Sequence, residues 1–202
     1  MFNSTLVGQR FPDFTSAAVM GDGSINSTFN LAEIINNKFA VLFFYPLDFT
    51  FVCPTELLAF NQSWQSFQDK NAELIAISVD SEFSHLAWRN TSVKQGGIGP
   101  VKYPMVSDLS HEICQLYGVE HPVKKVAYRA TCIIDNAGII RHQSINDLPI
   151  GREPSEYLRL LDAIIHHDTH GEVCPAGWQK GKPAMETNQA SVAAYLEEMM
   201  AD

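Results

Sequence analysis

Four cysteines, at positions 53, 114, 132 and 174, are the residues of this 202-residue chain best suited to redox chemistry. No two of them have the Cys-x-x-Cys spacing that is typical of a zinc site or a local redox pair. Four cysteines are also too few to form a disulfide scaffold in a chain of this length. A buried cysteine is ordinarily a small apolar core residue, so the local context must single out a reactive one.

Cys53 has such a context, because a strand, a short loop and a helix meet there. The apolar, aromatic-rich run Phe39–Tyr45 predicts a strand covered on both faces, which Pro46 ends. Apolar residues at spacings of three and four predict a helix from Cys53 to Phe67. The first turn of a helix presents unpaired N–H groups and about half a positive charge. This arrangement stabilises a thiolate, which is the reactive form of cysteine.

The residues that follow Cys53 exclude one kind of chemistry. Thioredoxin-like proteins carry Cys-x-x-Cys at this place in the fold, but this chain reads Cys53-Pro54-Thr55-Glu56. Since Glu56 replaces the second cysteine, dithiol exchange within the motif is excluded. An oxidised Cys53 must be resolved by a cysteine from elsewhere.

Strands alternate with helices along most of the chain and a hairpin follows, which predicts one α/β domain with a mixed central sheet. Residues 171–183 are rich in glycine and proline and predict a loop or mobile arm. The remaining predicted elements are a hairpin over 15–30, a helical turn at 31–35, a strand at 74–79, a helix at 82–90, a strand at 103–106, a helix at 110–117, a hairpin over 128–143, a helix at 154–166 and a terminal helix at 191–200.

Net charge and hydropathy indicate which binding partners and which cellular location the protein can have. The formal net charge is −9, which argues against a nucleic-acid or anionic-membrane partner. The first ten residues lack the features of a signal peptide. The most apolar run, residues 39–45, is far shorter than the roughly 20 residues of a membrane span. We therefore expect a soluble, cytoplasmic protein.

Two segments make the chain recognisable. Residues 43–56, FFYPLDFTFVCPTE, resemble the active-site segment of the peroxiredoxins, whose pattern Pro-x-x-x-Thr/Ser-x-x-Cys maps onto Pro46, Thr50 and Cys53. Residues 171–178, GEVCPAGW, resemble the resolving-cysteine segment of the typical two-cysteine subgroup, which includes the alkyl hydroperoxide reductase C and thiol-specific antioxidant proteins. Chance agreement of both segments in this order is very improbable.

The resemblance extends to two arginines and to the roles of several residues. Arg129 matches the active-site arginine of the family, and Arg152 matches a second arginine site. The resemblance implies that Arg129 and the Thr50 hydroxyl supply hydrogen-bond donors to the reacting oxygens, while Pro46 shields the site from water. It also implies that Glu56 orients an arginine, such as Arg152.

For the whole chain, the resemblance implies a thioredoxin-like fold with a mixed central sheet flanked by helices, an N-terminal hairpin and a C-terminal arm. Residues 1–165 would form the peroxiredoxin domain and residues 166–202 the arm. The implied function is a thiol-dependent peroxidase that reduces hydrogen peroxide and organic hydroperoxides. A Cys53 sulfenic acid would condense with Cys174 to a disulfide between subunits, and thioredoxin, a dedicated flavoprotein or a small disulfide reductase would reduce it. No cofactor and no metal are implied, and a homodimer assembling into a ring, commonly of ten subunits, is expected.

Less specific interpretations stand beside these roles. Thr50 could be only the N-cap of the helix, Arg129 a solvated surface residue, and Cys174 a spectator. Cys114 and Cys132 lie in a predicted helix and a predicted strand, where the core interpretation fits both.

Aromatic and histidine side chains raise two further hypotheses. Trp88 and Phe83 are candidates for contacts between subunits of a ring, or else core aromatics of the helix at 82–90. Three histidines cluster near Cys174, but their spacing does not fit a closed zinc site, and they indicate a polar helix end instead: His166, His167 and His170.

Two rival functions remain open to experiment. The first is a ring-forming chaperone or signalling binder, and the second is a disulfide exchanger. Equal peroxide consumption by the wild type and Cys53→Ser would reject the peroxidase function in favour of the first rival, and an insulin-reduction assay would settle the second.

Overall fold

The central element of the structure, a computed structural model that describes residues 5–201, is a seven-stranded mixed sheet. Its strands are β1 (Thr15–Val19), β2 (Ile25–Asn30), β3 (Phe39–Phe44), β4 (Ala72–Ser78), β5 (Met105–Ser107), β6 (Arg129–Ile134) and β7 (Ile140–Asn146). They lie in the order β2-β1-β5-β4-β3-β6-β7. Strands β3, β4 and β5 are parallel, and the outer pairs are antiparallel.

Residues 5–201 also form seven α-helices. They are α1 (Leu31–Ile34), α2 (Cys53–Gln62), α3 (Trp64–Gln68), α4 (Glu82–Asn90), α5 (Glu112–Leu116), α6 (Pro154–His170) and α7 (Gln189–Ala201), with a short 3-10 turn at Val93–Gln95. Within the part of the chain that the structure describes, none of these helices is long and apolar enough to cross a membrane. The chain divides into two compact units, the first ending at Pro154 and the second beginning at Ser155.

Strand β3 is the centre of the first unit, and it determines where Cys53 lies. All six of its residues are buried, because neighbouring strands cover both edges and the core covers both faces. In the antiparallel β3–β6 pair, Phe43 lies opposite Thr131. The carboxyl end of β3 therefore meets the amino end of β6. This register brings Arg129, the first residue of β6, to the place where the loop toward Cys53 begins.

The α/β prediction with a mixed sheet is confirmed, and so are both hairpins, but several helices differ from their predicted bounds; α6, for example, continues to His170 instead of ending at residue 166. The helix predicted from residue 53 to 67 ends at Gln62 and resumes at Trp64, because the backbone of Ser63 turns to ψ −1°. Asn61 and Ser63 are weak helix formers, which favours an interruption there. The helix predicted from residue 110 begins at Glu112, because His111 adopts a left-handed φ of 64° and cannot continue a right-handed helix.

The proposed ring contact at Trp88 is wrong. Its side chain is fully buried, and its indole N–H donates to the carbonyl oxygen of Gly96 at 3.0 Å. Trp88 is thus a core residue of the first unit, as the alternative interpretation held. Phe83 is 67% exposed and remains available to a partner.

The contribution of the buried parallel strands to stability can be tested by a matched pair of substitutions. Leu74 on β4 is fully buried, whereas Leu109 in the loop after β5 is 61% exposed. We expect Leu74→Ala to lower the free energy of unfolding by about 2–5 kcal/mol, because it leaves a cavity. Leu109→Ala should change it by less than about 0.5 kcal/mol. Chemical denaturation of both variants measures the difference, and equal losses would contradict this assignment of the core.

Candidate active site

Cys53 lies at the first position of α2, with its side chain fully buried. The residue before it, Val52, has an apolar side chain and accepts the backbone N–H of Thr55 through its carbonyl oxygen, at 3.0 Å. Pro54 follows at a position where helices tolerate proline, since no intrahelical N–H is required there. The partial positive charge of the helix terminus therefore acts on a sulfur that is shielded from water.

The guanidinium of Arg129 lies directly against this sulfur. Its Nη1 is 3.4 Å from Sγ of Cys53 and 2.6 Å from Oε2 of Glu56. Its Nε donates to the carbonyl oxygen of Leu148 at 2.6 Å. Arg129 is only 4% exposed, so its charge acts in a poorly solvated site. The surface-residue interpretation of Arg129 does not fit this burial.

Glu56 holds a second guanidinium on its other side. Arg152 Nε donates to Oε1 at 2.8 Å and Nη2 donates to Oε2 at 3.1 Å, which makes a bidentate pair. The backbone N–H of Arg152 also donates to Oε1, at 3.0 Å. Arg152 Nη1 is held by the carbonyl oxygen of Ala130 at 2.6 Å. Every contact of this carboxylate thus fixes the position of an arginine.

The charges of this cluster do not cancel by themselves. Two buried guanidiniums share one buried carboxylate, which leaves one positive charge close to the sulfur of Cys53. A thiolate at Cys53 would balance that charge, and so would negative charge on an oxygen bound beside it. The arrangement therefore suits a reaction in which negative charge moves from sulfur to a neighbouring atom.

The loop before Cys53 carries the other two predicted site residues. Pro46 is buried, and Thr50 is half-buried. Within residues 5–201, the Thr50 hydroxyl donates to the carbonyl oxygen of Leu47 at 2.9 Å and makes no hydrogen bond to the Cys53 sulfur. Thr50 is not the N-cap of α2, because that position belongs to Val52. Its role as a donor to substrate stays a prediction.

The remaining cysteines have different surroundings. Cys114 and Cys132 are fully buried, as the core interpretation predicted. Burial raises the pKa of Cys132 to about 12. The pKa of Cys114 is also raised, by burial first and then by the negative charge of Asp108. Both thiols are therefore protonated and inert at neutral pH.

Cys174 lies in the second unit and is half-buried, and its Sγ is 3.6 Å from the carbonyl oxygen of Ala163. Burial raises the pKa of the Cys174 thiol, the negative charge of Glu172 raises it further, and the positive charge of Arg159 opposes them. Cys174 is therefore a thiol at neutral pH.

The three histidines near Cys174 lie at the end of α6, and two of them contact Glu172 in the segment that follows. His166 Nε2 lies 2.7 Å from Oε2 of Glu172, and His167 Nδ1 lies 2.8 Å from the carbonyl oxygen of Glu172. The rings of His166 and His170 stack with their centroids 4.4 Å apart. Among the described residues, no group of three or more histidine, cysteine, aspartate or glutamate side chains is placed to hold a metal ion.

Sequence analysis did not identify the oxygen atoms that accept hydrogen bonds from Arg129 and Arg152. The carbonyl oxygens of Leu148 and Ala130 and the hydroxyl of Thr131 all accept hydrogen bonds from the two guanidiniums. A backbone carbonyl has no residue-type signature, so these partners could be found only from the fold.

Comparison with known proteins agrees with this geometry. The model of the AhpC/TSA family matches residues 7–143, and the model of the C-terminal domain of 1-Cys peroxiredoxin matches residues 163–198. The chain is 50% identical to alkyl hydroperoxide reductase C of Buchnera aphidicola subsp. Baizongia pistaciae, over 96% of this chain and 98% of that protein. It is 46% identical to peroxiredoxin-2 of Mus musculus, over 94% of each chain.

The fold matches solved structures equally well. The reduced 2-Cys peroxiredoxin of Plasmodium vivax superposes with a TM-score of 0.93 at 45% identity, over 96% of this chain and all of that one. A structure of Plasmodium yoelii Prx1a, modified at its N-terminus and described as an artifactual octamer, has a TM-score of 0.75 at 44% identity, over 89% of this chain and all of that one. The thioredoxin-like fold is thus confirmed, and the chain belongs to the AhpC/TSA family, the peroxiredoxins.

Proposed function

We propose that the chain is a thiol-dependent peroxidase in which Cys53 reduces hydrogen peroxide and organic hydroperoxides. The observation that carries this proposal is the Arg129 guanidinium, 3.4 Å from a fully buried Cys53 sulfur at the start of a helix. Such a site stabilises a thiolate and also the charge that leaves it.

The chemistry of the first step follows from the charge arrangement. The Cys53 thiolate attacks one peroxide oxygen, a sulfur–oxygen bond forms, and the oxygen–oxygen bond breaks. The second oxygen leaves with the electron pair and takes up a proton to become water or an alcohol. Sulfur is oxidised to a sulfenic acid while the peroxide is reduced. Arg129 is positioned to stabilise the charge during this transfer.

Four further residues have supporting roles in the proposal. Glu56 positions Arg129 through the contact at 2.6 Å, and Arg152 holds Glu56 from the other side. Pro46, which is buried, shields the site from water. The Thr50 hydroxyl turns from the carbonyl of Leu47 to donate to the bound peroxide.

Cys174 completes the cycle in this proposal. Its sulfur attacks the sulfenic sulfur of Cys53, a disulfide forms, and hydroxide leaves as water. We propose that the two cysteines belong to different subunits of a homodimer, and that the dimers form a ring, a decamer. An external dithiol reductase, thioredoxin or a dedicated flavoprotein or disulfide reductase, restores both thiols. Residues 166–202 act as the arm that carries Cys174 beyond the domain formed by residues 1–165.

Substitution of the buried cysteines tests the peroxidase function. With excess dithiol, Cys53→Ala should lose peroxide consumption entirely, because no other thiol has comparable surroundings. Cys132→Ala is the matched control, since Cys132 is equally buried but has a raised pKa of about 12. It should consume peroxide at the wild-type rate. Equal consumption by Cys53→Ala and wild type would reject the proposal.

A non-reducing gel after one equivalent of peroxide tests the role of Cys174. We expect a dimer band from the wild type and none from Cys174→Ser. A dimer band that persists in Cys174→Ser would show that another cysteine resolves Cys53. A monomeric, fully oxidised wild type would show that the disulfide lies within one chain.

The raised pKa of Cys174 predicts a pH dependence for disulfide formation. Only the thiolate attacks, so the rate should rise by at most about tenfold per pH unit below the pKa and continue to rise above pH 8.5. Because Glu172 raises this pKa, Glu172→Gln should move the rising limb to lower pH. Rapid-mixing measurement of the second phase after a peroxide pulse gives the profile. A rate that is constant between pH 7 and 9 would contradict the assignment.

A further inference from the structure

The segment that carries Cys174 folds back along α6 after a sharp turn, and the chemistry proposed above uses only its sulfur. At the turn, Gly171 has a φ of 73°, and its backbone N–H donates to the carbonyl oxygen of His167 at 2.8 Å. Gly177 also has a positive φ, of 72°. We call residues 171–178 the return segment. Two glycines in the left-handed region thus lie on either side of Cys174, and glycine leaves that region at little steric cost.

The return segment runs antiparallel to α6 and contacts it at three positions. The three pairs are Glu172 with His166, Cys174 with Ala163, and Trp178 with Arg159. The helix partners are three and four residues apart, which is the spacing of a single helix face. The contact of Cys174 is the longest of the three, at 3.6 Å, and a thiol is a weak donor. The neighbouring contacts therefore keep Cys174 in place.

Glu172 is held through both its side chain and its main chain. Nε2 of His166 lies 2.7 Å from Oε2 of Glu172, and Nδ1 of His167 lies 2.8 Å from the carbonyl oxygen of Glu172. A carboxylate and a carbonyl oxygen only accept hydrogen bonds, so both imidazoles donate. The bond to the carboxylate is the stronger kind, because the acceptor is charged. The His166 ring also packs against the rings of His170 and Trp178, with centroids 4.4 Å and 4.9 Å away.

The position of Cys174 on α6 suits a thiol and not a thiolate. Its Sγ donates toward the carbonyl oxygen of Ala163, and a thiolate there would face an oxygen lone pair with no proton between them. Burial and the negative charge of Glu172 also raise the pKa of Cys174. Attack on the Cys53 sulfenic acid requires the thiolate. Cys174 must therefore leave the α6 carbonyl before it reacts.

We propose that His166 and Glu172 form a latch that holds Cys174 in this unreactive position, and that His166 is a positioning residue for the resolving step. The proposal rests on the peroxidase function of Cys53 for its consequence on rate. While the latch is closed, the sulfur of Cys174 stays a thiol on α6. When the latch opens, the return segment turns about its two glycines and exposes a thiolate. The population of the open form then sets the rate of disulfide formation.

The other hydrogen bonds of the return segment are compatible with this movement. The backbone of Val173 pairs with that of Met185 at 2.7 Å and 3.1 Å, and the Trp178 indole N–H donates to the carbonyl oxygen of Lys182 at 3.0 Å. These partners belong to the chain beyond the return segment and not to α6, so they can move together with it. The latch has the shortest of the hydrogen bonds from the return segment to an α6 side chain described above, at 2.7 Å.

Two substitutions of His166 separate its hydrogen bond from its ring packing. His166→Phe keeps an aromatic ring against His170 and Trp178 but removes the donor to Glu172. His166→Gln keeps a donor amide but removes the ring. We expect His166→Phe to open the latch and His166→Gln to leave it closed.

Alkylation of the reduced protein by iodoacetamide, followed by mass spectrometry of each cysteine, measures this opening without peroxide. Cys174 should react about three- to tenfold faster in His166→Phe, because one hydrogen bond to a charged group is lost. In His166→Gln the rate should stay within about twofold of the wild type, because a donor remains. Cys114 and Cys132 should keep their wild-type rates in both variants.

The matched control is Thr169→Ala, which changes α6 without touching the latch. The Thr169 hydroxyl donates to the carbonyl oxygen of Ile165 at 2.7 Å, within α6 itself. Its loss should leave the alkylation of Cys174 at the wild-type rate.

The two phases after a peroxide pulse give a second readout by rapid mixing. In His166→Phe the second phase, disulfide formation, should accelerate by the same factor as the alkylation of Cys174, since both reactions need the released thiolate. The first phase, oxidation of Cys53, should keep its wild-type rate. A general structural role of His166 would not accelerate one phase alone.

Three results would overturn the latch. One is an unchanged rate of Cys174 alkylation in His166→Phe. Another is an acceleration in His166→Gln equal to or larger than that in His166→Phe, which would assign the hold to ring packing. The third is an equal acceleration at Cys114 and Cys132, or in Thr169→Ala, which reports general loosening. Because alkylation uses no peroxide, a wild type that failed to consume peroxide would refute the proposed function and leave the latch to this test.

Discussion

The carboxylate of Glu56 is the group on which the site depends. It lies one turn beyond Cys53 and contacts both buried arginines, at 2.6 Å to Arg129 and 2.8 Å to Arg152. Removing one partner of a buried charge cluster is costly, because the remaining charges lose their compensation. One carboxylate between two guanidiniums also leaves a net positive charge where the sulfur lies, and this surplus favours negative charge on sulfur or oxygen.

The fold brings these charges together from distant parts of the chain. The buried strand β3 leads through the loop to α2, so Cys53 and Glu56 share one helix face at its first turn. The antiparallel neighbour β6 begins with Arg129 at the same end of the sheet, and the segment after β7 supplies Leu148 and Arg152. On the opposite side of the loop, Asp48 is held by α4. The site is therefore enclosed by elements that the sheet topology brings together.

Sequence reasoning predicted the parts of this arrangement that depend on local pattern. The apolar run of β3, the helix start at Cys53 and the missing second cysteine at position 56 were all readable, because each follows from a few adjacent residues. The pairing of Glu56 with two arginines spans 73 and 96 residues; sequence analysis suggested only the contact with Arg152, and the contact with Arg129 was missed. The Asp48–His85 contact has no local signature and was missed. The buried position of Trp88 depends on packing by Tyr45 and Phe49, which the pattern of α4 alone does not show.

The most direct test of this account is the rate of Cys53 oxidation by hydrogen peroxide in Glu56→Gln, measured by rapid mixing under single-turnover conditions. Glutamine keeps the size of the side chain but removes the charge that positions Arg129, so we predict a rate about 10- to 100-fold below that of the wild type. Glu73→Gln is the matched control, because Glu73 forms a half-exposed ion pair with Lys38 at 2.6 Å and should leave the rate unchanged. A rate for Glu56→Gln within about twofold of wild type would contradict the central role of this carboxylate, because a misplaced Arg129 should slow the reaction by much more than that.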